Sequence, residues 1–198
     1  MSEITPAQVR DYYAFMADQY RVTLVQTADS TLMAVIAKAL SVMGVLDQAA
    51  FLTRFTTTVG ATIYLPFTPG IATADYDLWW QVATLAHECQ HVVQYRRSGA
   101  AEFAWAYLTQ HSARATYEVE AYTANLELYW WRYRQLIPPA TLAGYLTSYA
   151  CTPTDIQVAT KQLALRAVSV QHGAIVTDTV KVALGWLNQH VPALHTHP

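Results

Sequence analysis

One stretch constrains this chain more than any other. The residues from about Asp77 to Arg97 read as a single helical run, ended by Ser98-Gly99. Within it stands Leu85-Ala86-His87-Glu88-Cys89-Gln90-His91-Val92-Val93-Gln94. Residues four apart on a helix stack on one face. His87 and His91 therefore share a face and can bind one metal ion, and Glu88 lies at its edge. Leu85, Ala86, Val92 and Val93 flank them, as expected of a buried helix. Cys89 falls on the side away from the two imidazoles.

The His-Glu-x-x-His spacing supplies two neutral nitrogen ligands plus a carboxylate that accepts a proton from an activated water. By chance it should arise in on the order of one percent of sequences with this His and Glu content. The bland alternative is a pair of histidines on a solvated helix face beside an unrelated glutamate.

A catalytic zinc site takes three protein ligands and leaves one position open. A third histidine six residues after the second, with glycine at the third, is excluded, because those positions hold Arg97 and Gln94. The other common choice is a glutamate on a later helix. Glu118 and Glu120 both lie in one, and two residues apart they diverge by roughly 200° and cannot both face the metal. Glu118 shares its face with Arg114, Tyr122 and Asn125; Glu120 shares its face with Thr116, Tyr117 and Ala124. Glu118 is the first choice, with Glu120 and His111 as alternatives. The bland reading makes Glu118 a surface partner of Arg114.

The rest of the chain reads as mainly α with a small β-hairpin or edge strand. Thr5-Pro6-Ala7-Gln8 starts a helix to about Ala17 or Tyr20. A second, apolar helix follows Asp29-Ser30 to about Gly44, and Asp47 starts a short one to Phe51 or Leu52. A strand runs from Ala61 to Leu65, paired with Arg54 to Thr58 across Gly60, and a loop covers Thr68 to Asp77. Later helices span Ala101–Gln110, Ala113–Leu136, Ala140–Tyr149, Thr154–Gln171 and Thr177–Asn188. The tail from Val191 frays, and His195 and His197 there can pick up metal adventitiously. With 198 residues the expectation is one domain: N-terminal helices over 1–53, a site-bearing core over 54–136 and C-terminal helices over 137–198.

A formal net charge of −2 gives no electrostatic case for nucleic acid. Thr31 to Leu46, the most apolar stretch, falls short of the roughly 20 apolar residues that span a bilayer. Met-Ser-Glu-Ile-Thr-Pro lacks the form of a secretory signal, so the expectation is a cytoplasmic protein or release without a classical signal. Cys89 and Cys151 are read as free and buried. Trp79, Trp80, Trp130 and Trp131 are read as core packing.

His87-Glu88-x-x-His91 followed by Glu118-x-x-Ala121 resembles the zincin-fold metallopeptidases whose third ligand is a glutamate, the gluzincins. It is similar to the Glu-x-x-Ala-Asp form of prenyl-protein peptidases and the Glu-x-Glu-Ala-Asn form of ImmA-like peptidases. The resemblance covers roughly Thr56 to Asn125. It implies a zincin-like fold, Zn2+ on His87, His91 and Glu118, and Glu88 as general base. It also implies that the strand Thr62-Ile63-Tyr64-Leu65 is an edge strand beside the cleft, pairing with an extended substrate. The family commonly has Asp or Asn after Ala121, where this chain has Tyr122; Tyr122 or Asn125 would take its place in orienting a ligand histidine. Tyr122, Tyr129, His111 and Arg114 are candidate donors to the oxyanion. The implied substrate is a peptide or protein segment, such as a cell-wall stem peptide. The rival readings are a catalytically inactive zincin-like module that serves structure or interaction, and a helical assembly protein with an accidental motif.

Overall fold

The computed structural model describes residues 3–31, 33–34 and 55–195. Among them are seven α-helices and one three-stranded sheet. The expected helices from Asp29-Ser30 to Gly44 and from Asp47 to Leu52, with the apolar stretch Thr31 to Leu46, lie almost wholly outside the described residues.

Helix α1 (Pro6–Tyr20) begins where Thr5 and Gln8 satisfy each other's orphan groups in a capping box. Its Val9, Tyr12, Tyr13 and Met16 are buried. The chain turns directly into β1 (Thr23–Gln26). Strands β2 (Thr57–Val59) and β3 (Thr62–Leu65) form the expected hairpin, closer to the turn than Arg54 to Thr58. β1 pairs parallel to β3 on its other side, giving the order β1-β3-β2. β3 is therefore the central strand and not the edge strand expected from the sequence; the edge beside the later helices is β2.

Helix α2 (Leu78–Ser98) carries the motif. Asp77 caps it, accepting a 2.7 Å bond from the Trp80 amide. Tyr13 donates to the Gln81 carbonyl at 2.8 Å, tying α1 to α2. The fully buried Gln81 amide in turn holds the preceding loop, accepting from Gly70 N and donating to the Ile71 carbonyl. Gly70 has φ +83°, and a Cβ there would meet the Pro6 carbonyl oxygen at 2.5 Å. Only glycine fits both demands.

Gly99 turns the chain into α3 (Ala100–Thr109), and α4 (His111–Tyr133) follows. Helices α5 (Pro139–Gly144), α6 (Pro153–Gln171) and α7 (Asp178–His190) complete the set. A 3-10 turn over Tyr145–Tyr149 replaces the second half of the helix expected up to Tyr149.

Two apolar clusters form the core. The first joins α1, the sheet, α2 and α7 and takes Ala124, Leu128 and Trp131 from α4. The second joins α5 and α6 and takes Ala115, Val119, Tyr122 and Leu126 from the same helix. α4 is thus a shared wall. Trp79 and Trp131 are buried and stack at 6.0 Å, while Trp80 and Trp130 are half-buried. The tail is not frayed through His195: Leu194 is buried, and the His195 ring stacks on Trp131 at 5.2 Å and meets Arg134. Among the described residues, no helix is long and apolar enough to cross a membrane.

Candidate metal centre

The helical spacing places His87 and His91 as their sequence positions require. Their Nε2 atoms lie 3.1 Å apart and their rings cross at 80°. Glu118, one third of the way along α4, closes the triangle. Its Oε2 is 3.6 Å from His87 Nε2 and its Oε1 is 3.5 Å from His91 Nε2. Ligands at about 2.1 Å around a tetrahedral ion are separated by about 3.4 Å. The three edges bracket that value. This buried group of three can hold a metal ion.

The back side of each ligand shows why the lone pairs point inward. Gln94 Nε2 donates to the Tyr117 carbonyl, which fixes its amide, and its Oε1 then faces His91 Nδ1 at 2.9 Å. An oxygen there accepts, so His91 Nδ1 carries the hydrogen and Nε2 carries the lone pair. Asn125 Oδ1 does the same for His87 Nδ1 at 2.9 Å. Two imidazole lone pairs 3.1 Å apart repel each other unless a proton or a metal ion lies between them. Glu118 adds negative charge to the same point. Its Oε1 accepts from Tyr107 at 2.5 Å, while its buried Oε2 has no hydrogen bond. Such an orphaned oxygen, facing the His87 ring nitrogen, fits a metal ligand.

Burial alone would raise the Glu118 carboxyl, but the two imidazoles and the Tyr107 hydroxyl outweigh it and hold it at about 2. Burial alone would lower His87, and the Glu118 and Glu88 carboxylates outweigh that and raise it.

Glu88 is buried on the neighbouring face, and its Oε2 accepts from Thr58 Oγ1 at 2.7 Å. Together with His87 it lines a cavity of about 300 Å³, walled by Phe55, Tyr76, Trp80, Tyr122, Tyr145 and Tyr149. Burial pushes Tyr107, Tyr122 and Tyr149 well up, so their hydroxyls stay protonated and can donate. The Tyr122 ring sits 4.9 Å from that of His87.

Several sequence expectations fall elsewhere. Glu120 is half-buried and forked onto Arg97, at 2.8 and 3.1 Å, and also accepts from Gln90. Two positions along a helix turn it away from the triangle, so it lies outside the group of three. His111 opens α4, exposed, about two turns before Glu118. Arg114 is no surface partner of Glu118. Its guanidinium donates to the carbonyls of Tyr107, Leu108 and Tyr149, which spends its fork away from any oxyanion. Tyr129 packs on Tyr133, ring centroids 4.6 Å apart, well along α4. Of the two residues expected to orient a histidine, Asn125 makes the bond. Gln94, Tyr107 and Thr58 were not singled out. Gln94 had a readable signal, an amide one turn after His91 on a buried face; Tyr107 and Thr58 lie on other elements and had none. Cys89 and Cys151 are free and buried, as expected.

No family model matches this chain, and comparison with curated proteins and with solved structures returns no match either.

Proposed function

We propose that this protein is a zinc metallopeptidase that hydrolyses a peptide or peptide-like amide bond, with His87, His91 and Glu118 as ligands and Glu88 as general base. One observation carries the reading. The buried side chains of His87, His91 and Glu118, from two helices, converge so that one ligand atom of each lies within 4.8 Å of the others. The fold around them, mainly helical with a small sheet, agrees with a zincin-like architecture without matching a solved example.

His87, His91 and Glu118 would hold zinc, which would supply a Lewis acid able to polarise a carbonyl and to lower the pKa of a water. Glu88 accepts the proton of that water and hands it to the leaving amine. Gln94 and Asn125 keep both ring nitrogens turned inward throughout. Tyr122, protonated and beside His87, would donate to the oxyanion. Strand β2, unpaired on its outer side among the described residues, supplies an edge for an extended chain. That favours a peptide, such as a flexible protein segment or a cell-wall stem peptide.

The test is zinc content and cleavage of a mixed peptide library by the chain and by Glu88→Gln. The expected outcome is one zinc per chain in both, with cleavage only by the former. Equal cleavage by the two removes Glu88 as base. Zinc in both with cleavage by neither leaves an inactive zincin-like module.

A further inference from the structure

The edge strand is tied to the proposed base by one side chain. Thr58 Oγ1 reaches Glu88 Oε2 at 2.7 Å and the Glu88 carbonyl only at 3.5 Å. A hydroxyl has one proton to donate, and the shorter, charge-assisted bond takes it. Among the described residues, this is the only hydrogen bond the Glu88 carboxylate accepts. Its other oxygen is not a buried orphan, and it remains open to the cavity that Glu88 lines. Glu88 is otherwise a three-torsion side chain on a helix, with no other hydrogen bond to choose its rotamer.

The geometry points to Thr58 as the positioning residue for Glu88. It pins one carboxylate oxygen to β2, so that the other is presented to the reacting water. This rests on the peptidase reading for its kinetic consequence, but the bond itself does not. Thr58 also sits in the middle of β2, paired with Ile63. The strand that offers an edge to a substrate is thus the strand that aims the base. A side chain that only fastened β2 to α2 would not care about its hydroxyl as long as its volume were kept.

Thr58→Val keeps the volume and removes the donor; Thr58→Ser keeps the donor. On zinc-loaded chains, Thr58→Val is expected to lower kcat about tenfold with KM within about twofold, and Thr58→Ser to recover most of it, as expected when a charge-assisted bond that orients a base is lost. Zinc content stays unchanged in both. The second readout is independent of cleavage: carboxyl 13C NMR, with the Glu88 resonance assigned by its loss in Glu88→Gln. Thr58→Val should move that resonance and Thr58→Ser should restore it. A resonance unmoved by Thr58→Val overturns the proposal, whether or not the chain cleaves any peptide. A resonance that moves with kcat unchanged in a cleaving enzyme also overturns it, and leaves the peptidase reading intact. Cleavage by no variant, with the resonance moving as expected, fails the peptidase reading alone.

Discussion

Helix α4 carries two buried glutamates that make opposite use of the same side chain. Glu118 and Glu127 are 1 % and 0 % exposed, and each leaves Oε2 without a hydrogen bond. Glu118 is held at about 2, because its burial is outweighed by imidazoles and a phenol. Glu127 is raised above the ordinary carboxylate range, because burial outweighs the amides of Val176 and Thr177 that reach its Oε1 at 2.6 and 3.2 Å. Burial is common to both, so it decides neither outcome. What decides is whether the facing groups reach both carboxylate oxygens. Around Glu118 they do: His87 faces Oε2, while His91 and Tyr107 face Oε1. Around Glu127 they reach only one oxygen, and the result is a brace for the segment that leads into α7.

Glu118→Gln would test the first half of this contrast most severely. Zinc affinity, measured by competition with a chelating dye, should fall by more than about a hundredfold, beyond the 10- to 100-fold typical of losing an outer partner. Next in size, Asn125→Leu and Gln94→Leu should each lower affinity by about 10- to 100-fold. If either leaves it unchanged, the inward lone pairs are not set by these amides. Tyr107→Phe, which strips one donor from Glu118, should cost about tenfold. In the second half of the contrast, Glu127→Ala should lower the free energy of unfolding by about 1–3 kcal/mol, by orphaning two amides. It should leave zinc stoichiometry alone; a loss of zinc would mean that the two glutamates are not separable.

The smallest effect concerns pH. A carboxyl raised on folding contributes its stability below its unfolded pKa, about 4.3, and loses it as pH rises through the folded value. Glu127→Gln keeps the accepting oxygen and cannot ionise. Its melting temperature should equal that of the parent near pH 4 and exceed it at pH 7. A gap that closes with rising pH would reverse the assignment.

The triangle was largely legible in the sequence because it obeys helical periodicity. His87 and His91 are one turn apart on one helix, and Glu118, Tyr122 and Asn125 share a face of another. The ambiguity between Glu118 and Glu120 needed the packing of α2 on α4, which Arg97 reveals by claiming Glu120. What could not be read is what crosses between elements. Tyr107 meets Glu118 because the chain turns at Gln110, between α3 and α4. Thr58 meets Glu88 across a strand–helix contact with no local spacing. The misplaced edge has the same origin. β1 is only Thr-Leu-Val-Gln, too short for an alternation to stand out, and it alone makes β3 central.

The shared wall has one further consequence. His87 and His91 belong to a helix packed in the first apolar cluster, while Ala115 and Val119, which bracket Glu118, pack in the second. An ion held by all three is a rivet through the seam between the two. Each cluster would then be obliged to melt with the other, and stripping the ion would free them to come apart in turn.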